Sequence, residues 1–199
     1  GVITEDAKVW AKAGRGWSIP NKDIGGLFLA KGSDLAAPSG RVAMIQSANS
    51  LLFNISPKAA EFREQIFGRR RVEAIFNLSA LRFKVFRRKT HTTKTSAAPA
   101  CVVIMTPATP AADDLIRYVC PKHVRPLVDD FSILIEPQDA RVLRVSDAIS
   151  EPLIWSQLMW GAPRDLQLIR RLQGFPSLGA LAGQRAFPRH AWASRQPLR

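Results

Sequence analysis

The sequence predicts an α/β fold built on a largely parallel sheet, and three observations carry that expectation. Apolar runs of strand length recur at "GRVAMIQ" (40 to 46), "RVEAIFNLS" (71 to 79) and "APACVVIMT" (98 to 106). Each is too short for a helix, and the third is rich in β-branched residues. Helix signals precede the first run and separate it from the second, so residues 21 to 79 read helix, strand, helix, strand. A helical crossover of this kind is what pairs neighbouring strands in parallel.

Residues 1 to 20 read as an irregular segment. Asn21 is a candidate N-cap, with Asp23 in the first turn, where a carboxylate suits the positive end of the helix dipole. Ile24, Leu27, Phe28 and Leu35 then recur on one face, weakened by Gly25, Gly26 and Gly32, and Pro38-Ser39-Gly40 ends the element. "GRVAMIQ" follows as a buried strand. Ser56 and Pro57 form an N-cap and first-turn pair, and Ala59, Phe62, Ile66 and Phe67 line one face of the helix they start. Gly68 stops it before the second strand.

Past Pro107 the character changes. "LIRYVCP" and "FSILIEP" read as short strands, and "ARVLRVSDAIS" alternates before turning polar. From Glu151 the pattern is helical: Leu153, Ile154 and Leu158 precede Gly161-Ala162-Pro163. Pro163 opens a second helix with Asp165 in its first turn, continued by Leu166, Leu168, Ile169 and Leu172. Trp155 and Trp160 belong to the hydrophobic face. From Ala182 the tail carries four arginines, no acid and two prolines, and reads as poorly ordered.

With 199 residues, 46% of them hydrophobic, the chain is long enough to pack a core. The 29 Lys and Arg outnumber the 16 Asp and Glu, leaving a net charge of +13. That balance points to a polyanionic partner, most simply nucleic acid, or else to a generally basic surface. Cys101 and Cys120 cannot build a disulfide framework and suit a reducing compartment. Cys120-Pro121-Lys122-His123 has the spacing of a zinc ligand pair without a second pair to close the site. A buried strand cysteine beside a surface histidine is the expectation there. No apolar run approaches the roughly 18 to 20 residues that cross a bilayer, and no secretory signal is present, so a soluble, cytoplasmic protein with no membrane partner is expected. The first residue is Gly1 rather than Met, which suggests a fragment.

The series "KDIGGLFLAKGSDLAAPSGRVAMI", "SLLFNISPKAAEFREQIFGRRRVEAIFNLSALRFKVF" and "APACVVIMTP" resembles the C-terminal half of the catalytic domain of N-6 adenine DNA methyltransferases from restriction-modification systems. In that family a helix leads to a "GR-hydrophobic" strand, then to an "LLFN" segment and a helix entered through a Ser/Pro turn. A "hydrophobic-x-N-L/F" strand, a phenylalanine and a final "hydrophobic-P-A-hydrophobic" strand follow. The likeness runs from about residue 17 to 107, and more weakly through "LIWSQLMWGAPRDLQLIRRL".

The resemblance implies a partial class I S-adenosylmethionine-dependent methyltransferase sheet, Rossmann-like, of seven strands with the last antiparallel, followed by a mainly helical extension. This chain would supply the late strands. The implied division is an irregular segment over 1 to 20, half a catalytic domain over 21 to 136, a helical extension over 137 to 181 and a basic tail over 182 to 199. S-adenosylmethionine is the implied cofactor, yet its Gly-rich loop and the Asn/Asp-Pro-Pro-aromatic turn that orients the target amine are not in the sequence. Gly14-Arg15-Gly16 follows no apolar strand and reads as a loop, and Ile19-Pro20-Asn21 holds one proline. Adenine's exocyclic amine is a poor nucleophile without acceptors for its hydrogens, so the chain alone is expected to be inert.

Within such a sheet, the segment between the last two strands lies at the rim where a flipped base enters. The resemblance makes Phe86, and next Phe83, candidates to stack on the base, with a core position at a strand end as the other reading. Arg82, Lys84, Arg87, Arg88, Lys89 and Lys94 are the candidate DNA contacts, or else a solvated loop. Arg69-Arg70-Arg71 sits at a helix-to-strand turn and reads as a C-terminal charge cluster. The expected partners are DNA and an upstream methyltransferase half or a restriction or specificity subunit. Two alternatives stay open: a non-catalytic DNA-binding or assembly subunit, and an unrelated basic α/β protein that binds RNA or ribosomes.

Overall fold

The computed structural model describes residues 4–13, 16–82, 98–123, 133–151, 153–161 and 163–184. The chain divides into two compact units, Gly1–Trp160 and Gly161–Arg199. The first unit opens with a helix, α1 (Glu5–Ala13), where an irregular segment was expected. Its alanines and lysines favour helix, but only Ala11 is buried, so no apolar stripe announces it.

Helix α2 (Ile24–Leu35) is capped by Asp23 rather than Asn21: the Asp23 carboxylate accepts from the Gly25 amide at 3.1 Å. Asn21 has a left-handed backbone (φ 51°), outside the extended range of an N-cap. The buried face of α2 is Gly26, Leu29, Ala30 and Ser33, while Phe28 and Leu35 are 59% and 76% exposed. Gly26 lies on the buried face beside Phe62, whose ring an added Cβ would meet at 3.4 Å.

Strand β1 (Val42–Ser47) is an edge strand with Ile45 63% exposed, not the buried strand its apolar run suggests. Helix α3 (Pro57–Arg69) starts at the Ser56 cap as expected and runs through Gly68 before ending. Ala59, Phe62, Ile66 and Phe67 are its buried face, as their spacing predicts. Arg63 joins them, 1% exposed, and its guanidinium donates to the carbonyls of Leu51 (3.3 Å) and Asn54 (2.6 Å). It thereby ties α3 to the "LLFN" turn.

Strands β2 (Arg71–Asn77) and β3 (Ala100–Thr106) follow, then β4 (Leu115–Val119), β5 (Lys122–His123), β6 (Ile133–Leu134) and β7 (Ala140–Arg144). Helices α4 (Val145–Ser150) and α5 (Ile154–Trp160) complete the unit. β7 falls within the alternating run "ARVLRVSDAIS" and joins the main sheet. The second unit contains α6 (Pro163–Gln173), opened by Pro163 as expected, and α7 (Leu178–Gln184). Leu168 and Leu172 on α6 are both more than half exposed.

The main sheet has the order β1-β3-β2-β4-β7, and β5 pairs only with β6. The sheet is mixed, not largely parallel: β3 runs antiparallel to both β1 and β2, β2 is parallel to β4, and β4 is antiparallel to β7. The helical crossover through α3 does set β1 and β2 in the same direction. β3 lies between them and runs antiparallel to both.

Paired residues share a face, so Met44, Val103, Ile75 and Tyr118 lie on one side of the sheet and Ile45, Val102, Phe76 and Val119 on the other. The first side is the core. Trp155 of α5 is fully buried there, stacked on Phe67 at 5.4 Å and 6.0 Å from Tyr118. Trp160, by contrast, is 72% exposed. Among the described residues, no helix is long and apolar enough to cross a membrane.

Candidate nucleic-acid interface

Because β1, β2 and β4 point the same way, their carboxyl ends share one edge of the sheet with the start of β3. In open α/β sheets ligands bind outside that edge. The register sets Gln46, Cys101 and Asn77 side by side across β1, β3 and β2, and Cys120 follows the end of β4. All four are buried.

Asn77 is fully committed. Its Nδ2 donates to the Tyr118 hydroxyl at 2.7 Å, and its Oδ1 accepts from the Ser79 amide at 3.0 Å, turning the chain out of β2. Burial pushes the Cys101 thiol up to about 12 and raises Cys120 as well. Tyr118 is raised too, first by burial and then by Cys120. A thiolate is the nucleophilic form of cysteine, so burial disfavours the reactive form of both. Lys122 pairs at 3.2 Å with the buried carboxylate of Asp139, whose backbone carbonyl accepts from Cys120. Two buried polar atoms at this edge, Gln46 Nε2 and Ser79 Oγ, have no hydrogen-bond partner among the described residues. The edge offers buried hydrogen-bonding groups.

The same edge pins both ends of the basic segment. The Leu78 amide donates to Ala100 O at 2.9 Å, the Ala48 amide donates to Pro99 O at 3.0 Å, and Leu81 is buried. The segment between β2 and β3 therefore leaves and re-enters the fold at the carboxyl edge. Of the residues expected at DNA, Arg82 stands at its start and is half-buried. Phe83, Lys84, Phe86, Arg87, Arg88, Lys89 and Lys94 lie outside the described residues.

The other arginine cluster sits at the opposite end of β2. Arg70 donates to Asp34 at 2.5 Å and to Ser33 Oγ at 3.2 Å, Arg69 lies 5.0 Å from the Trp17 ring centre, and Arg71 is 3.5 Å from Asp114. These arginines hold elements together. The residues that close the carboxyl edge, Gln46, Asn77 and Tyr118, were not singled out from the sequence. Only the "IFNL" motif hinted at Asn77, because the row across the sheet depends on pairing that no local pattern encodes.

The described residues do not fit S-adenosylmethionine. Gly16 follows α1 rather than a strand, and Gly25, Gly26 and Gly32 lie within α2, the last two against Phe62 and Met44, instead of forming a phosphate-type cradle after a strand. Among the described residues, no three His, Cys, Asp or Glu side chains are grouped to hold a metal.

No family model matches the chain. No curated protein matches it either. Among solved structures it is similar to the type IIG restriction endonuclease BpuSI, at 13% identity and a TM-score of 0.48, over 87% of this chain. The chain spans 20% of the length of that protein.

Proposed function

We propose that the first unit is the later part of an N-6 adenine DNA methyltransferase catalytic domain, with its basic segment facing DNA. The observation that carries the reading is the placement of β3. A strand antiparallel to both neighbours, set between two strands that share a direction, agrees with a sheet whose last strand is antiparallel. The motif order of the sequence and the net charge of +13 support the same conclusion.

In this reading Arg82, Lys84, Arg87, Arg88, Lys89 and Lys94 neutralise phosphates at the carboxyl edge. Phe86 or Phe83 stacks on the extruded adenine. Methyl transfer from S-adenosylmethionine belongs to the complete enzyme and requires an upstream half that carries the Gly-rich loop and the Pro-Pro turn. The chain alone binds without catalysing.

Fluorescence anisotropy with duplex DNA over a range of salt tests the interface. Six phosphate contacts give a log–log salt slope of roughly −5, and changing the six cations to glutamine abolishes most of it. An unchanged slope sinks the assignment. Co-expression with an upstream segment bearing both missing motifs then tests catalysis by labelled methyl transfer. Rescue supports a divided methyltransferase, whereas DNA binding without rescue favours a non-catalytic DNA-binding or assembly subunit. Strong RNA binding with none to duplex DNA overturns the family reading.

A further inference from the structure

Away from the carboxyl edge, α1, α2 and the start of α3 surround a cavity of about 290 Å³. That volume lies at the low end of small-molecule pockets. Its lining is split by chemistry. Trp17 and Ile19, both nearly fully buried, and the half-buried Leu27 supply apolar surface, while Lys12, Lys22 and Lys58 stand exposed around it.

Lys8 also lines the cavity, but its ammonium is paired with Glu5. The Glu5 carboxyl is held below its ordinary value, first by Lys8 and then also by Lys22 and Lys12. Lys12, Lys22 and Lys58 make no ion pair or hydrogen bond among the described residues. With Glu5 paired to Lys8, the ammoniums of Lys12, Lys22 and Lys58 leave the lining positive.

The backbone supplies an independent sign. Asn21 and Lys22 are consecutive non-glycine residues with φ of 51° and 52°. Such residues rarely adopt this region, and holding two of them there costs free energy that the surrounding fold must offset. The turn, closed by Asp23 N to Pro20 O at 2.9 Å, carries Lys22 to the rim of the cavity.

The geometry points to a binding site for a small organic phosphate, with its compact apolar body against Trp17, Ile19 and Leu27 and its phosphate among Lys12, Lys22 and Lys58. Lysines serve as point charges for phosphate, and several of them suit a dianion better than a single carboxylate. The site goes beyond the DNA reading and stands without it, because it shares no residue with the basic segment.

Phenyl phosphate is a suitable probe, with inorganic phosphate and phenol as its separate halves, measured by calorimetry on the full chain. Phenyl phosphate should bind at least ~10-fold more tightly than either half. The double change Lys22→Ala and Lys58→Ala should weaken it by a similar factor. Ala7→Leu, which fills the cavity, should remove the preference over inorganic phosphate without removing the lysines. Equal affinity for phenyl phosphate and inorganic phosphate overturns the apolar half, and unaltered binding in the double variant overturns the lysine half. Displacement by duplex DNA, with the same loss of DNA affinity in the double variant, would assign the lysines to a nucleic-acid backbone and overturn the proposal.

Discussion

Buried Cys101 shows how one side chain sets a measurable property of the fold. Its thiol, ordinarily near 9.0, is pushed up to about 12 by burial. Between those values the unfolded chain has lost this proton and the folded chain has kept it, so the folded state is the one that binds more protons. Stability should therefore be fully present below about pH 9 and fall above it, by up to about 1.4 kcal/mol per pH unit for each such group. Cys120 and Tyr118 are raised in the same direction and steepen the loss. Urea midpoints measured between pH 7 and 10.5 check this, and Cys101→Ala should flatten part of the decline. A midpoint constant across that range contradicts the burial argument. Arg63 carries the complementary lesson. A cation on the apolar face of a helix looks like surface in the sequence, yet the carbonyls of Leu51 and Asn54 hold its Nη1, while Nε and Nη2 are buried without a partner among the described residues.

Element boundaries follow from caps and close contacts, and the glycines around α2 separate the two effects. At Gly26 an added Cβ meets the Phe62 ring at 3.4 Å, an ordinary contact, and the position is helical. At Gly40 the same atom would stand 2.9 Å from Ala37 O, a backbone atom in the turn that ends the helix region. Gly26→Ala should therefore stabilise by about 0.5–1 kcal/mol through helix propensity. Gly40→Ala should destabilise, because the turn must open. Thermal or urea unfolding of the two variants gives the comparison, and equal effects of one sign would refute it. Ser56-Pro57 was legible as a helix start because cap chemistry is local. Asp23 was misassigned to the first turn because the left-handed turn at Asn21 and Lys22 shifts the cap two residues along. α1 escaped notice because its helix is made by propensity rather than by a stripe.

At the scale of the main sheet, one face is packed and the other is left with apolar residues at its margins. Ile45, Leu115 and Val142 are each about 60% exposed, and β1 is an edge strand. The continuous apolar run of β3 is the pattern of a strand buried on both sides, yet Val102 and Ile104 are only half-buried. An open edge beside apolar surface favours association. The protein should show concentration-dependent association in sedimentation velocity, and Ile45→Lys should reduce it while leaving the melting temperature nearly unchanged, since the side chain makes little of the core. A strictly monomeric species at all concentrations would count against an exposed β1 edge. Association of this kind would also compete with DNA in binding measurements, so the two should be read at the same protein concentration.

The sequence by itself determined the strand runs, the Ser56 and Pro163 helix starts, the buried face of α3 and the basic segment between β2 and β3. Each of these depends on residues close together in the chain, through periodicity, capping or charge. Tertiary structure alone decided that the sheet is mixed, that β1 lies at its edge, and that Gln46, Cys101 and Asn77 form one row. Strand order and register are fixed by which faces bury one another across long separations. The lysine-rimmed cavity has the same origin: Lys12, Lys22 and Lys58 come from three separate stretches, and only the packing of α1, α2 and α3 makes them one site.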